Sequence, residues 1–411
     1  MPEFLKLLPP GEALARLLAA LPDQGAVSEK IPALAALGRV ISEDVIAPHP
    51  LPDFLRSTVD GYAVRAADTF GASESIPGYL DVVGEVPMGA APPFDLLNGQ
   101  AALIHTGGML PRGADAVLML EQTQAVGAGE IECNRPVAAG ENVILVGEDV
   151  GEGQVVLHAG MRLRPAEIGG AMALGILELR VAKKPVVGIL SSGDEVVPPD
   201  RSPRPGQVRD VNSYVLSALV SEAGGEPVLY GILPDTLDPL EAAAGKALAE
   251  CDLVVITAGS SASARDTTAE AIASLGRPGV LVHGVNVRPG KPTILAVCDG
   301  KAVIGLPGNP VSALVIAGLF VVPVMERLMG FKRRSPRPSV PAALLTNIPS
   351  QAGREDWIAV RLVSGETGWQ AEPIFAKSNL IFSLARADGL VCIPPDATGF
   401  AAGETVTVYL S

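Results

Sequence analysis

From Lys184 onward the chain alternates short apolar runs with helical stretches, and no other feature constrains the fold as much. Pro185 to Leu190 reads as a strand, Asn212 to Ala223 as a helix with Asn212 at its cap, and Pro227 to Ile232 as the next strand. Asp238 to Ala249 is the following helix, and Leu253 to Thr257 is a third strand of mostly β-branched residues. Strands that are apolar on both faces and separated by helices predict a parallel sheet with right-handed crossovers. Such sheets bind ligands beyond the carboxyl ends of their strands.

Those ends carry Asp194 and Glu195 in a small polar turn, then Asp235, then Asp266. One strand-end carboxylate is usually a cap. Carboxylates at successive ends predict a divalent-cation or acid–base site, with Glu195, Asp235 and Asp266 as the candidate ligands. After the third strand, Ala258 to Ser263 are small and hydroxylated, so a ligand can approach the backbone near Gly259 and Ser261. Asp266, Thr267 and Thr268 offer caps for the next helix. An ordinary strand-to-helix connection has the same composition, so this turn alone decides nothing.

Further on, Arg288 and Lys291 flank a Pro-Gly turn that holds two cations close together. Ile304 to Phe320 then reads as a strand, a turn and a long apolar helix, started by Asn309 as cap and Pro310 at the first helical position. Good start chemistry explains that pair. The free amides of such a helix end would also hold an oxyanion beside Arg288 and Lys291.

Before this region, apolar residues at helical spacing predict a helix over Pro10 to Leu21, and a second short helix covers Ala33 to Leu37. Prolines 48, 50 and 52 mark a linker into a β-rich stretch that runs to about Val146, in which Asp60-Gly61 reads as a hairpin turn. Ala166 to Leu174 looks helical. Beyond the basic linker Lys332 to Pro338, short alternating runs predict a small β-sandwich or barrel. At 411 residues, about two to four domains are expected.

The formal net charge of −14 argues against a nucleic-acid partner, so an anionic ligand needs a local cationic cluster. Four cysteines without a CxxC spacing predict reduced thiols in a cytoplasmic protein and no zinc site. Val311 to Met325 is too short for a membrane span and carries Pro323, so it reads as a buried helix, with no membrane partner. Its apolar face and those of the N-terminal helices are too large to hide easily in one subunit, which predicts a dimer.

The set DGYAV, HTGGMLPRGADAV, SSGDEV, PGQVRDVNSY, AGSSASARD, RPGKP and LPGNPVSA, in that order, resembles the molybdopterin molybdenumtransferase family, which includes the C-terminal domain of gephyrin. The resemblance covers nearly the whole chain. It implies a mixed α/β and β multidomain fold: an elongated helical/β first domain from residues 1–45 plus 147–183, a β-rich inserted domain at 46–146, an α/β parallel-sheet molybdopterin-binding domain at 184–330 and a C-terminal β-barrel at 338–411. The implied transferase inserts molybdate into adenylylated molybdopterin and releases AMP, with Mg²⁺ as the divalent cation. A homodimer with a cleft shared between subunits is implied, and so is a molybdopterin adenylyltransferase as the partner that supplies substrate.

Carried over by motif, Asp60, Thr106, Asp149, Glu195, Asp235 and Asp266 match functional positions of the family. Asp194, Ser261, Ser312, Arg288 and Lys291 fit the substrate contacts, and Arg354 in GRED and Ser378 in AKSN resemble further oxyanion contacts. The chain departs from the family pattern at Ala258 and Ser263, where glycine is usual, at Gly284, where lysine is common, and at Arg288, which replaces a second lysine. A tungstate-inserting paralogue and a catalytically silent dimeric scaffold stay open beside the transferase.

Overall fold

The computed structural model describes residues 7–23, 25–127, 129–257, 262–332, 337–366 and 368–410. Its centre is a six-stranded sheet with helices on both faces. In chain order the elements are β1 (Val186–Ser192), α1 (Asn212–Glu222), β2 (Glu226–Leu233), α2 (Leu237–Glu250), β3 (Leu253–Thr257), α3 (Ala262–Ser274), β4 (Pro278–His283), β5 (Ile294–Cys298), β6 (Lys301–Leu306) and α4 (Pro310–Leu328). The spatial order is β2-β1-β3-β6-β5-β4. The first four strands are parallel, and β5 and β4 run antiparallel to them.

Alternation along each strand feeds two cores. Val187, Ile189 and Val255 point to the face covered by α1, α4 and the helix Pro10–Ala20, whereas Leu190, Val254 and Ile256 point to the face covered by α2 and α3. Helix α4 is long and apolar enough to cross a membrane. Here it is a core helix, with Phe320, Val321 and Val324 at 0–1 % exposure. The expectation that its apolar face needs a second subunit is therefore corrected: the sheet and the N-terminal helix cover it. A second correction concerns α1. Asn212 is its first helical residue rather than its cap, and Asp210 instead accepts the Ser213 amide at 3.1 Å.

The inserted region is a six-stranded sheet that includes Gly61–Val64 between Gln100–Ile104 and Ala116–Met119. Asp60-Gly61 is thus not a hairpin turn. Pairing with strands on both sides, Gly61 opposite Ile104 and Met119, outweighs the local turn signal. Ser28–Pro32 pairs antiparallel with Glu178–Ala182, and Val45–Ile46 pairs with Val155–Leu157, so the segments flanking the insertion lie together. At the C-terminus, Ser339–Leu344, Glu355–Gly365, Gly368–Pro373, Gly389–Ile393 and Thr405–Leu410 close into a five-stranded barrel. The short strand Val287–Arg288 leaves the α/β region and pairs in parallel with Glu355–Asp356.

Candidate anion-binding site

Register decides what meets at the carboxyl edge of the sheet. Ser191 pairs with Thr257, Thr257 with Leu306, and Ser192 with Leu233, so β1, β2, β3 and β6 end at one level. Strand β5 runs the other way, and its first residue, Ile294, pairs with Gly305, which brings the preceding Arg288–Lys291 turn to the same edge.

Of the expected carboxylates, two come together. Ser192 Oγ donates to Asp235 Oδ1 at 2.7 Å, and the Asp235 amide donates to Asp194 Oδ1 at 3.2 Å. Glu195 is half-buried, with its carboxylate over Gly193. Asp266 is exposed and lies within α3, which begins at Ala262, so the expected cap role is corrected. Alanines at 262 and 264 favour helix strongly enough to start it before the aspartate. No three His, Cys, Asp or Glu side chains among the described residues are grouped to hold a metal ion. Glu195, Asp235 and Asp266 therefore do not form a ready cation cage. Gly259 and Ser261, together with the departure at Ala258, lie outside the described residues.

The cations are better organised. Arg288 is 58 % exposed, and its Nη1 stands 3.6 Å from Oδ2 of Asp356, a carboxylate with 0 % exposure. Arg354 grips the same carboxylate, Nε to Oδ1 at 2.7 Å and Nη2 to Oδ2 at 3.2 Å, and Ser350 Oγ donates to Oδ2 at 2.9 Å. Lys291 is exposed. Gly284, where the resembling family has lysine, is buried at φ +98°, a backbone shape that lysine adopts only with strain.

At the adjoining amino end of α4, Asn309 occupies the cap position without capping: its Nδ2 donates to Ser378 Oγ at 3.0 Å. The Val311 amide donates to the Ser378 carbonyl at 3.1 Å, and Asn212 Nδ2 donates to the Gly308 carbonyl at 2.8 Å. Ser312 is buried in the first turn of α4. The Arg288–Lys291 turn and the amino end of α4 thus both leave the carboxyl edge of the sheet, and Arg354 shares the Asp356 carboxylate with Arg288.

The inserted region carries a second polar group. Asp60 accepts the Thr106 amide at 2.7 Å and its hydroxyl at 3.1 Å, and these bonds, the amide first, hold the Asp60 carboxyl below its ordinary value. His105 lies between Asp60, at 3.7 Å, and Glu85, at 3.2 Å. Asp149 is exposed, and its amide donates to the Leu51 carbonyl. The hydrogen bonds of Asp60 stay within its own group, so the structure does not join it to the sheet edge.

Sequence reasoning missed Asp356, Ser192 and His105. Asp356 sits two residues after Arg354 at the start of a strand, and period-two geometry could have paired them. A cavity of about 440 Å³ beside β2, lined by Arg201, Asp210, Ser213 and Tyr214 among others, contains none of the motif residues at the cations or at Asp194 and Asp235.

The fold defines a multidomain α/β protein with an inserted β domain and a C-terminal barrel. The chain matches the MoeA N-terminal region (domain I and II) over residues 8–175, a probable molybdopterin binding domain over 188–327 and the MoeA C-terminal region (domain IV) over 341–411. It is 36 % identical over 397 residues to a putative molybdopterin biosynthesis protein of Methanocaldococcus jannaschii, covering 94 % of this chain and 93 % of that one. It is 33 % identical over 380 residues to the molybdopterin molybdenumtransferase of Bacillus subtilis, covering 91 % and 88 %. The crystal structure of the molybdopterin biosynthesis MoeA protein from Pyrococcus horikoshii OT3 superposes with a TM-score of 0.87 at 36 % identity, covering 99 % of this chain and 100 % of that one. The chain belongs to the MoeA family.

Proposed function

We propose that this protein is a molybdopterin molybdenumtransferase that inserts molybdate into adenylylated molybdopterin and releases AMP. The observation that supports the reading is the pair Arg288 and Arg354 on one buried carboxylate, Asp356, next to the Arg288–Lys291 turn. Molybdate is a compact dianion. Paired cations and nearby hydroxyls supply the charge and donors that it needs in a chain that is otherwise strongly acidic. The first-turn amides contribute less than the sequence suggests, because Pro310 has no N–H and the Val311 amide is taken by the Ser378 carbonyl. Ser378 accepts the Asn309 side-chain amide from the C-terminal region at this helix end.

For Mg²⁺ the donor set fits only in part. Asp194 and Asp235 are neighbouring oxygen donors, and Mg²⁺ is commonly held by one or two carboxylates with waters and substrate phosphate oxygens. When bound, the cation would neutralise charge on the pyrophosphate. Ser192 fixes one oxygen of Asp235, which leaves the other free to face substrate. Asp60, Thr106, Asp149, Glu195 and Asp266 are proposed as further contacts by motif. The protein is proposed to act as a cytoplasmic homodimer supplied by a molybdopterin adenylyltransferase. Exposed Leu34, Leu37 and Leu177, at 83, 58 and 68 %, support an interface on the first region.

The test is incubation of the purified protein with adenylylated molybdopterin, molybdate and Mg²⁺. AMP release and reconstitution of an apo-molybdoenzyme are expected. Absence of both overturns the reading, and tungstate-selective turnover would reassign the metal.

A further inference from the structure

We infer that Asp356 is a positioning residue whose buried carboxylate aims Arg288 and Arg354, from two different domains, at a single oxyanion. The inference rests on the reading that these cations hold molybdate.

A carboxylate with no exposure must have its charge met, and Asp356 uses both oxygens to do so. Arg354 engages it through Nε and Nη2, one edge of the guanidinium, which leaves Nη1 for a second acceptor. Arg354 is 28 % exposed, so its remaining edge reaches solvent. Arg288 sits beside Asp356 because their backbones are in register across the parallel pair of Val287–Arg288 with Glu355–Asp356. At 3.6 Å its contact is a charge contact rather than a hydrogen bond, and its outer end is free to turn toward a ligand.

Two guanidinium groups held by one buried anion leave a net positive charge directed outward. Without Asp356 the arginines repel each other and lose their common anchor. Positioning and simple charge balance predict opposite signs. Removing a negative charge from the site should tighten oxyanion binding if charge alone mattered. It should weaken binding if Asp356 fixes the geometry.

The experiment titrates the full-length protein with molybdate and with tungstate by calorimetry, for wild type, Asp356→Asn, Arg354→Ala and the double variant, each with its melting temperature. Asp356→Asn should weaken binding roughly ten- to a hundredfold, the scale of a small misplacement of a binding group. In the Arg354→Ala background the same change should cost distinctly less, because only one of the two arginines through which it acts, Arg288, remains. Asp356→Asn that binds as tightly as wild type or tighter overturns the inference, as does an equal loss in both backgrounds, which is what a purely structural strap would give. Should Asp356→Asn fail to fold, Ser350→Ala loosens the same carboxylate. A several-fold weaker affinity there supports positioning, and an unchanged one overturns it. Wild-type protein that binds neither oxyanion removes the proposed function and this inference with it. Wild-type binding and AMP release beside an unaffected Asp356→Asn overturn this inference alone.

Discussion

Gly290 lies between the two cations of the Arg288–Lys291 turn, and its replacement by alanine tests whether that turn is held as tightly as the structure implies. Its φ is +117°, and a Cβ built there would meet Ile316 Cγ1 at 2.2 Å and Cδ1 at 2.3 Å. Two costs add. A side chain at that backbone shape costs about 1–3 kcal/mol. Forcing a methyl against the well-packed Ile316, which is fully buried, costs about 1–3 kcal/mol more. Gly290→Ala should therefore destabilise the α/β region by roughly 2–6 kcal/mol and lower its calorimetric transition by at least about 4 °C. Molybdate affinity should fall as well, because the turn must move to relieve the overlap. The control is Ile316→Ala, which removes both clashing atoms and by itself costs roughly 2–5 kcal/mol. The double variant should be more stable than the sum of the single losses predicts, by about 1–3 kcal/mol. A Gly290→Ala protein melting within about 1 °C of wild type would refute the reasoning, and strict additivity with Ile316→Ala would refute the overlap as its cause.

Asp266→Asn should change stability by less than about 1 kcal/mol, since the residue is exposed within α3 and caps nothing, yet slow AMP release about a hundredfold if its charge acts in the transition state; wild-type turnover would remove it from the chemistry. Thr106→Val removes the hydroxyl bond to Asp60 and should raise the Asp60 pKa toward 3.8, as read by NMR titration. Because the folded pKa is depressed, any stability from this contact is present above the unfolded value near 3.8 and is lost as pH falls through the folded one. Burial pushes the Cys298 and Cys392 thiols up to about 11 and about 12, so iodoacetamide at neutral pH should modify buried Cys298 and half-buried Cys392 far more slowly than a free thiol, and labelling at the free-thiol rate would contradict the raised values.

Much of the chain is legible from its residues because its signals are local. Apolar runs and helical spacing between Lys184 and Leu328 specify strands and helices, since period and β-branching act within a few residues of sequence. Pro310 beside Asn309 marks the start of α4 for the same reason. What a polar side chain does at those positions is another matter. Asn309 turns from its own helix to Ser378, and Asn212 leaves its expected cap for Gly308. Asp60, in a sequence that favours a turn, enters a site with Thr106 because strands on both sides pair with its neighbour Gly61. Asp356 faces Arg288, 68 positions earlier by residue number, only because a barrel strand and an α/β strand meet in register. Local propensity fixes where the backbone bends or coils. The partner of a buried charge or amide is chosen by long-range strand pairing and by the cost of leaving that group unpaired, and only the tertiary structure resolves either.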